Sequence, residues 1–69
     1  MIEWKIDIYL KSGIKLACCY SSMENNTLDV SNKLFSGKQF TEFVGLDRPG
    51  GEGNIYFMVG EIAAFDIYV

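Results

Sequence analysis

The chain contains no histidine, a single proline and only two cysteines among 69 residues. Without histidine there is no Ser-His or Cys-His pair to activate a nucleophile. A zinc site would need both cysteines plus carboxylates, which matches zinc-ligand spacings poorly. Cys18 and Cys19 are adjacent. A disulfide between neighbours closes a strained ring, so they do not staple the fold as spaced pairs do in small secreted domains. They read as reduced strand residues, one facing in and one out, which fits a cytoplasmic location. Glu3, Lys5, Asp7 and Lys11 interrupt the N-terminal region. That leaves no apolar run for a signal peptide or a membrane span. An excess of basic charge is missing too: six bases stand against nine acids, for a formal charge of −3. This argues against a phosphate-backbone binder, and acids so mixed with cations give thin support for DNA mimicry.

What is present is apolar. Hydrophobic residues make up 49% of the chain, with one Trp, five Phe and four Tyr, far from the composition of a disordered acidic tail. The length allows one domain, residues 1–69, with a small core, because so short a chain hides only about 60% of its unfolded surface.

Ile2, Trp4, Ile6, Ile8 and Leu10 alternate with Glu3, Lys5, Asp7, Tyr9 and Lys11, the period of a strand with one buried face. Ile14, Leu16, Cys18 and Tyr20 then alternate with Lys15, Ala17 and Cys19. A two-residue turn at Ser12-Gly13 would pair Lys11 with Ile14 and set a charge beside a core residue. A three-residue loop pairs Leu10 with Ile14, Ile8 with Leu16, Ile6 with Cys18 and Trp4 with Tyr20, like with like. It also puts Gly13 where a left-handed residue is needed. The three-residue loop is therefore expected, with Cys18 in the core.

Further on, Val30 and Leu34 sit four apart, with Met23, Thr27 and Leu28 roughly in phase. Asn26 and Asp29 have the spacing of a capping box, and Gly37 is a stop signal. A short helix near 27–36 is predicted, one that must pack on the sheet to persist. A third strand is expected over 39–46, with broken alternation around Glu42-Phe43 marking a bulge. A glycine-rich loop follows over 47–54, then a strand over 55–59. Gly60-Glu61 should turn the chain, Ile62-Ala63-Ala64 is ambiguous, and 65–69 alternates again. The order β-β-α-β-β-β predicts an α+β fold, an antiparallel sheet of about five strands with one helix on it.

Two groups of residues are candidate sites. The first is the loop, with Arg48, Gly50, Gly51, Gly53 and Asn54. It matches no phosphate-binding motif and leads into a strand rather than a helix, so a plain connection is the simpler reading. Arg48 is nevertheless the one residue there able to grip a phosphate or carboxylate in bidentate fashion. The second is an apolar surplus. The fourth strand is apolar on both faces (Ile55, Phe57, Val59; Tyr56, Met58), and one helix covers only one side of a sheet. Tyr9, Phe43, Tyr56, Met58 and Tyr68 are left on the other side. Single surface aromatics are ordinary, but a contiguous patch on so small a domain marks an interface. No catalytic set emerges. Glu24, Glu42, Glu52, Glu61 and Asp66 lie in separate elements, and Cys19 has only Lys5 opposite it as a hint of thiolate stabilisation. No metal or cofactor is implied.

The opening Ile-Asp-Ile-Tyr-Leu-Lys-Ser-Gly (residues 6–13) and the closing Gly-Glu-Ile-Ala-Ala-Phe-Asp-Ile-Tyr-Val (residues 60–69) resemble small, uncharacterised phage- and prophage-encoded proteins of Gram-positive bacteria. In those, a "YLKSG"-type hairpin opens the chain and an "I-A-A-I/F-x-I" strand closes it. The resemblance leaves out the middle of the chain, rests on structural motifs and carries no catalytic residue across. It implies an accessory protein of a mobile element, often a binder: an inhibitor of a host enzyme or defence complex, a regulator, or a sequesterer of a signalling nucleotide. The sequence therefore predicts a non-enzymatic cytoplasmic protein that self-associates or docks on a host protein, with no nucleic-acid or membrane partner. The alternative is a small-ligand binder using Arg48 and the glycine loop for a phosphate and Tyr9 or Tyr56 for a base.

Overall fold

A computed structural model describes residues 1–69. The two alternating segments form strands β1 (Ile2–Leu10) and β2 (Lys15–Ser22). Their register sets Trp4 opposite Tyr20, Ile6 opposite Cys18 and Ile8 opposite Leu16. The loop has three residues. Leu10 N donates to Ile14 O (2.9 Å), Gly13 N donates to Leu10 O (2.9 Å), and Gly13 takes φ 93°. Ile14 departs from the expected core stripe and is exposed at the hairpin's end, because no element lies over the loop.

Helix α1 (Thr27–Phe35) starts at Asn26, whose Oδ1 accepts from Leu28 N at 2.6 Å. The expected capping box does not form. Asp29 carries too short a side chain to return to the Asn26 amide, and its carboxylate instead accepts from the Ser22 hydroxyl. Val30 and Leu34 are fully buried, each contributing on the order of 2 kcal/mol by leaving water. They hold on the sheet a helix too short to persist alone. Met23 and Leu28, expected in phase with them, are exposed. Met23 lies outside the helix, and Leu28 is rotated by about 200° from Val30 at 100° per residue.

The third strand is shorter than expected. β3 covers Phe43–Asp47, and residues 38–42 form a turn instead of a bulged strand. There Lys38 N donates to Phe35 O (3.1 Å) and Glu42 N to Gln39 O (3.1 Å). The carbonyls of Phe40 and Glu42 accept from Gly60 N (2.8 Å) and Val59 N (2.9 Å), so this segment bonds to the chain beyond the fourth strand rather than to a strand neighbour. A Cβ at Gly60 would lie 2.8 Å from Phe40 O, which is why glycine stands at that crossing. β4 spans Asn54–Met58, one residue earlier than expected, because Val59 begins a turn of 3₁₀ helix (Val59–Glu61). β5 runs over Ile62–Tyr68. The ambiguous Ile62-Ala63-Ala64 is therefore strand, with Ala63 the extra residue where the β1 register slips between Tyr9 and Leu10.

The sheet is antiparallel in the order β4-β3-β2-β1-β5, with α1 on one face. The chain is thus α+β, in the element order β-β-α-β-β-β. The core between sheet and helix consists of Val30 and Leu34 of α1 with Trp4, Ile6, Ile8, Cys18, Val44, Leu46, Phe57 and Val59. The even-numbered residues of β1 and β2 supply only part of this core; β3, β4 and the 3₁₀ turn complete it. β2 and β3 are joined through one register pair, Cys19 opposite Asp47. No helix is long and apolar enough to cross a membrane.

Candidate functional site

The face of the sheet away from α1 carries nothing over it except, at one corner, the glycine-rich loop. Alternation places Asn54, Tyr56 and Met58 of β4 there, then Phe43, Gly45 and Asp47 of β3. Ala17, Cys19 and Ser21 of β2, then Glu3, Lys5, Asp7 and Tyr9 of β1, and finally Ala64, Asp66 and Tyr68 of β5 follow across the face. All five sequence-predicted interface residues lie on this face. They do not form one contiguous patch.

Phe43, Tyr56 and Met58 are together at the β3–β4 corner, where Phe43 stands opposite Met58 and Gly45 opposite Tyr56. Phe43 is 61% and Tyr56 65% exposed. Tyr9 and Tyr68 lie across the sheet, separated from that corner by β2 and the polar stretch of β1. Both use their hydroxyls within the fold: Tyr68 donates to Asp7 Oδ2 (3.2 Å) and Tyr9 to Asp66 Oδ2 (3.4 Å). The bond to Asp7 raises the Tyr68 phenol above its ordinary pKa. Lys15 closes the group, with Nζ 3.7 Å from Asp7 Oδ2 and over the Tyr9 ring. Tyr9 and Tyr68 are thus explained by the carboxylates they support, and the unexplained apolar surface shrinks to Phe43, Tyr56 and Met58.

The loop folds back over the β2–β3 joint. Arg48 N donates to Gly53 O (3.1 Å) and Gly51 N to Arg48 O (3.0 Å). Gly50, Gly51 and Gly53 take φ of 91°, 82° and 80°, values that side chains rarely adopt. The Asn54 amide, with its nitrogen toward Gly53 O (3.2 Å) and Asp47 Oδ1 (3.3 Å), ties the loop to its own strand. Beneath it is a concavity of about 510 Å³ lined by Arg48, Gly50, Gly51, Gly53 and Asn54 together with Glu3, Cys19, Ser21 and Asp47. The structure therefore brings together all five loop residues singled out in the sequence. It adds Glu3, Cys19, Ser21 and Asp47, which only the strand register could have revealed. Tyr9 lies at the hairpin end of the sheet, and neither it nor Tyr56 lines the concavity.

Cys19 faces this concavity. Its pKa is raised, chiefly by burial and then by Glu3 and Asp47, against which Lys5 acts weakly. Lys5 does favour the thiolate, as its place opposite Cys19 suggested, but burial and the two carboxylates outweigh it. Cys18, in the core, is pushed up to about 11, first by burial and then by Cys19 and Asp7. Both thiols stay protonated at neutral pH, the unreactive form. No cluster of three or more His, Cys, Asp or Glu side chains is placed to hold a metal.

A second hollow, missed in the sequence, lies at the other end of the molecule. It measures about 250 Å³ and is lined by Lys11, Phe35, Phe40, Val59, Gly60 and Ile62. Phe40 is 79% exposed on its rim. Reading residues 39–46 as a continuous strand concealed it, since the turn is what carries Phe40 to Gly60.

No protein-family model matches the chain, and comparison with curated proteins and with solved structures finds no match to it.

Proposed function

We propose that the chain is a non-enzymatic interaction protein, of the phage or prophage accessory type, that acts in the bacterial cytoplasm by docking on a host protein through the outer face of its sheet. One observation carries this reading. The five-stranded sheet has a helix on one side only, and its bare side presents Phe43, Tyr56 and Met58 as cross-strand neighbours at a corner that no other part of the chain covers. Aromatic and Met side chains are enriched at protein interfaces, and Tyr is among the residues that most often carry their binding energy. The mixed charges across the rest of the face (Glu3, Lys5, Asp7, Lys15, Asp66) suit a polar rim. The phage attribution rests on the resemblance of the hairpin and the last strand. Affinity capture with the wild-type chain and with a Phe43→Ser/Tyr56→Ser variant tests the reading. A host protein retained stoichiometrically by the first and lost by the second is the expected result. Equal retention by two equally stable baits would overturn it.

A second reading, a small-ligand binder that sequesters a nucleotide-type molecule, is favoured by the concavity under the glycine loop. Arg48 and the loop amides are its phosphate-binding groups. Against it stand Glu3 and Asp47, two carboxylates facing one guanidinium, and the lack of an aromatic ring in the lining. A nucleotide panel assayed by thermal shift decides it. A shift abolished by Arg48→Ala supports the reading, and no shift with any nucleotide overturns it.

A further inference from the structure

The apolar corner of the outer face and the concavity under the glycine loop are neighbours. Outward side chains run Phe43, Gly45, Asp47 along β3 and Met58, Tyr56, Asn54 along β4, each pair directly opposite. Asp47 and Asn54 line the concavity, and the Tyr56 hydroxyl lies 3.3 Å from the Asn54 side-chain amide. At about 3.4 Å per residue, Tyr56 stands about 7 Å and Phe43 about 14 Å along the strands from the Asp47–Asn54 pair. The corner is uncharged, but the concavity carries the exposed carboxylates of Glu3 and Asp47. Neither is in an ion pair; the fold's one ion pair joins Lys15 and Asp7. Arg48 bonds within the loop through its backbone, and its charge acts on the Cys18 thiol in the core rather than on Cys19 facing the concavity. At Cys19 the two carboxylates outweigh Lys5, which stands outside the lining. One continuous surface is therefore apolar at one end and anionic at the other.

We infer that this surface takes a basic–apolar segment of the docked protein: a lysine or arginine side chain enters the concavity between Glu3 and Asp47, while an apolar side chain about 7–14 Å away covers Tyr56, Met58 and Phe43. This rests on the docking reading and names the chemistry of its partner. The concavity, about 510 Å³ in volume, has room for the head and stem of either basic side chain. Drawn out of water against two carboxylates, the cation makes charge-assisted bonds, stronger than neutral ones. The apolar corner supplies the desolvated contact, and the charges choose the partner and its orientation. A second copy would bring another acidic face, and an anionic ligand would meet the two carboxylates, so charge complementarity selects a basic segment. The formal charge of −3 on the whole chain adds long-range attraction toward a basic surface.

Heteronuclear NMR titration of the folded chain with three small probes tests this. Phenylbutylammonium carries a ring and a cation, butylammonium the cation alone, and phenylbutyrate the ring with a carboxylate. The first should shift the amides of Glu3, Cys19, Asp47 and Tyr56 and bind about fivefold tighter than either of the others, the scale of one charge-assisted contact. Glu3→Gln/Asp47→Asn, both at exposed positions, should abolish the preference for ammonium over carboxylate, and Phe43→Ser/Tyr56→Ser the preference for the ring. Equal binding of the ammonium and the carboxylate by the wild type, or shifts confined to other parts of the chain, overturns the inference. Shifts at this corner that grow with chain concentration in the absence of any probe would give it to a second copy and overturn the inference as well. The docking reading fails separately. A host protein lost by Phe43→Ser/Tyr56→Ser but kept by Glu3→Gln/Asp47→Asn leaves docking standing and sinks the basic segment. Probe binding as expected with no host protein captured keeps the surface chemistry and sinks docking.

Discussion

Asp7 and Asp66 stand directly opposite one another on β1 and β5, although like charges in that relation repel. Three neighbours offset the repulsion: the Tyr68 hydroxyl on Asp7, the Tyr9 hydroxyl on Asp66, and the Lys15 ammonium 3.7 Å from Asp7. Asp7 is 8% exposed while Asp66 is open to solvent, so the two carboxylates are not equivalent.

Removing the charge of the exposed member should therefore help. Asp66→Asn is expected to stabilise the fold by about 0.5 kcal/mol, the usual scale of a cross-strand charge effect, and the gain should shrink in high salt. Asp7→Asn relieves the same repulsion but gives up the Lys15 pair and weakens the bond from Tyr68, so it should gain less. Urea midpoints at low and high ionic strength measure both. A destabilising Asp66→Asn would show that the hydroxyl bond from Tyr9 outweighs the repulsion.

Gly45 and Tyr56 form a second cross-strand couple. A Cβ at position 45 would lie 2.6 Å from Tyr56 Cε1, so the ring occupies the space the glycine leaves open. Gly45→Ala should cost about 1 kcal/mol in the wild type by displacing the ring. In a Tyr56→Ala background the same change should be neutral or stabilising, because glycine inside a strand is unfavourable by roughly 0.5–1 kcal/mol relative to alanine. The sign reversal is the signature, read from a double-mutant cycle of denaturation free energies. Equal costs in both backgrounds would mean that the backbone, not the ring, resists the Cβ.

These couples show where the sequence was informative. Period-two alternation and the need to pair like with like identified the loop length, the register of β1 against β2 and the inward face of Cys18. Both are local and are set by side-chain burial alone. The Val30–Leu34 spacing located the helix for the same reason. The failures share a different cause. Whether Phe40 belongs to a strand depends on which backbone groups lie beside it, and its carbonyl is taken by Gly60, twenty residues away. The wall of the loop concavity likewise depends on Cys19 meeting Asp47 across two strands, a pairing no spacing encodes. Tyr9 and Tyr68 looked like surplus apolar surface because their hydroxyl partners were set by the β1–β5 register.

Ser22 links the sheet to the helix. It is buried, donates its hydroxyl to the Asp29 carboxylate and accepts from Glu24 N at 3.0 Å. Ser22→Ala leaves both groups without that partner and should cost about 1–3 kcal/mol, the scale of a lost bond to a charged group. Asp29→Asn keeps an acceptor and should cost less. Urea midpoints of the two variants against the wild type measure these costs. A Ser22→Ala variant as stable as the wild type would show that this bond does not hold α1 to β2.

Cys18 predicts a pH dependence of stability. Burial favours its neutral thiol and raises its pKa from 9.0 to about 11. Between those values the unfolded chain has released a proton that the folded chain retains, so stability falls as pH rises. The contribution is fully present below pH 9.0 and is lost as pH climbs through about 11. Cys19 is shifted in the same direction and adds to the slope. The Tyr68 phenol is raised as well, by its bond to Asp7, so the comparison must isolate the thiol. Cys18→Val is close in volume and carries no titrating group, which makes its alkaline limb the reference. Thermal midpoints should fall more steeply for the wild type than for Cys18→Val above pH 9.0, while the two curves run parallel below it. Parallel limbs throughout would mean that the Cys18 thiol ionises as readily in the fold as in the unfolded chain, and would place water in a core where the structure has Ile6 and Val30.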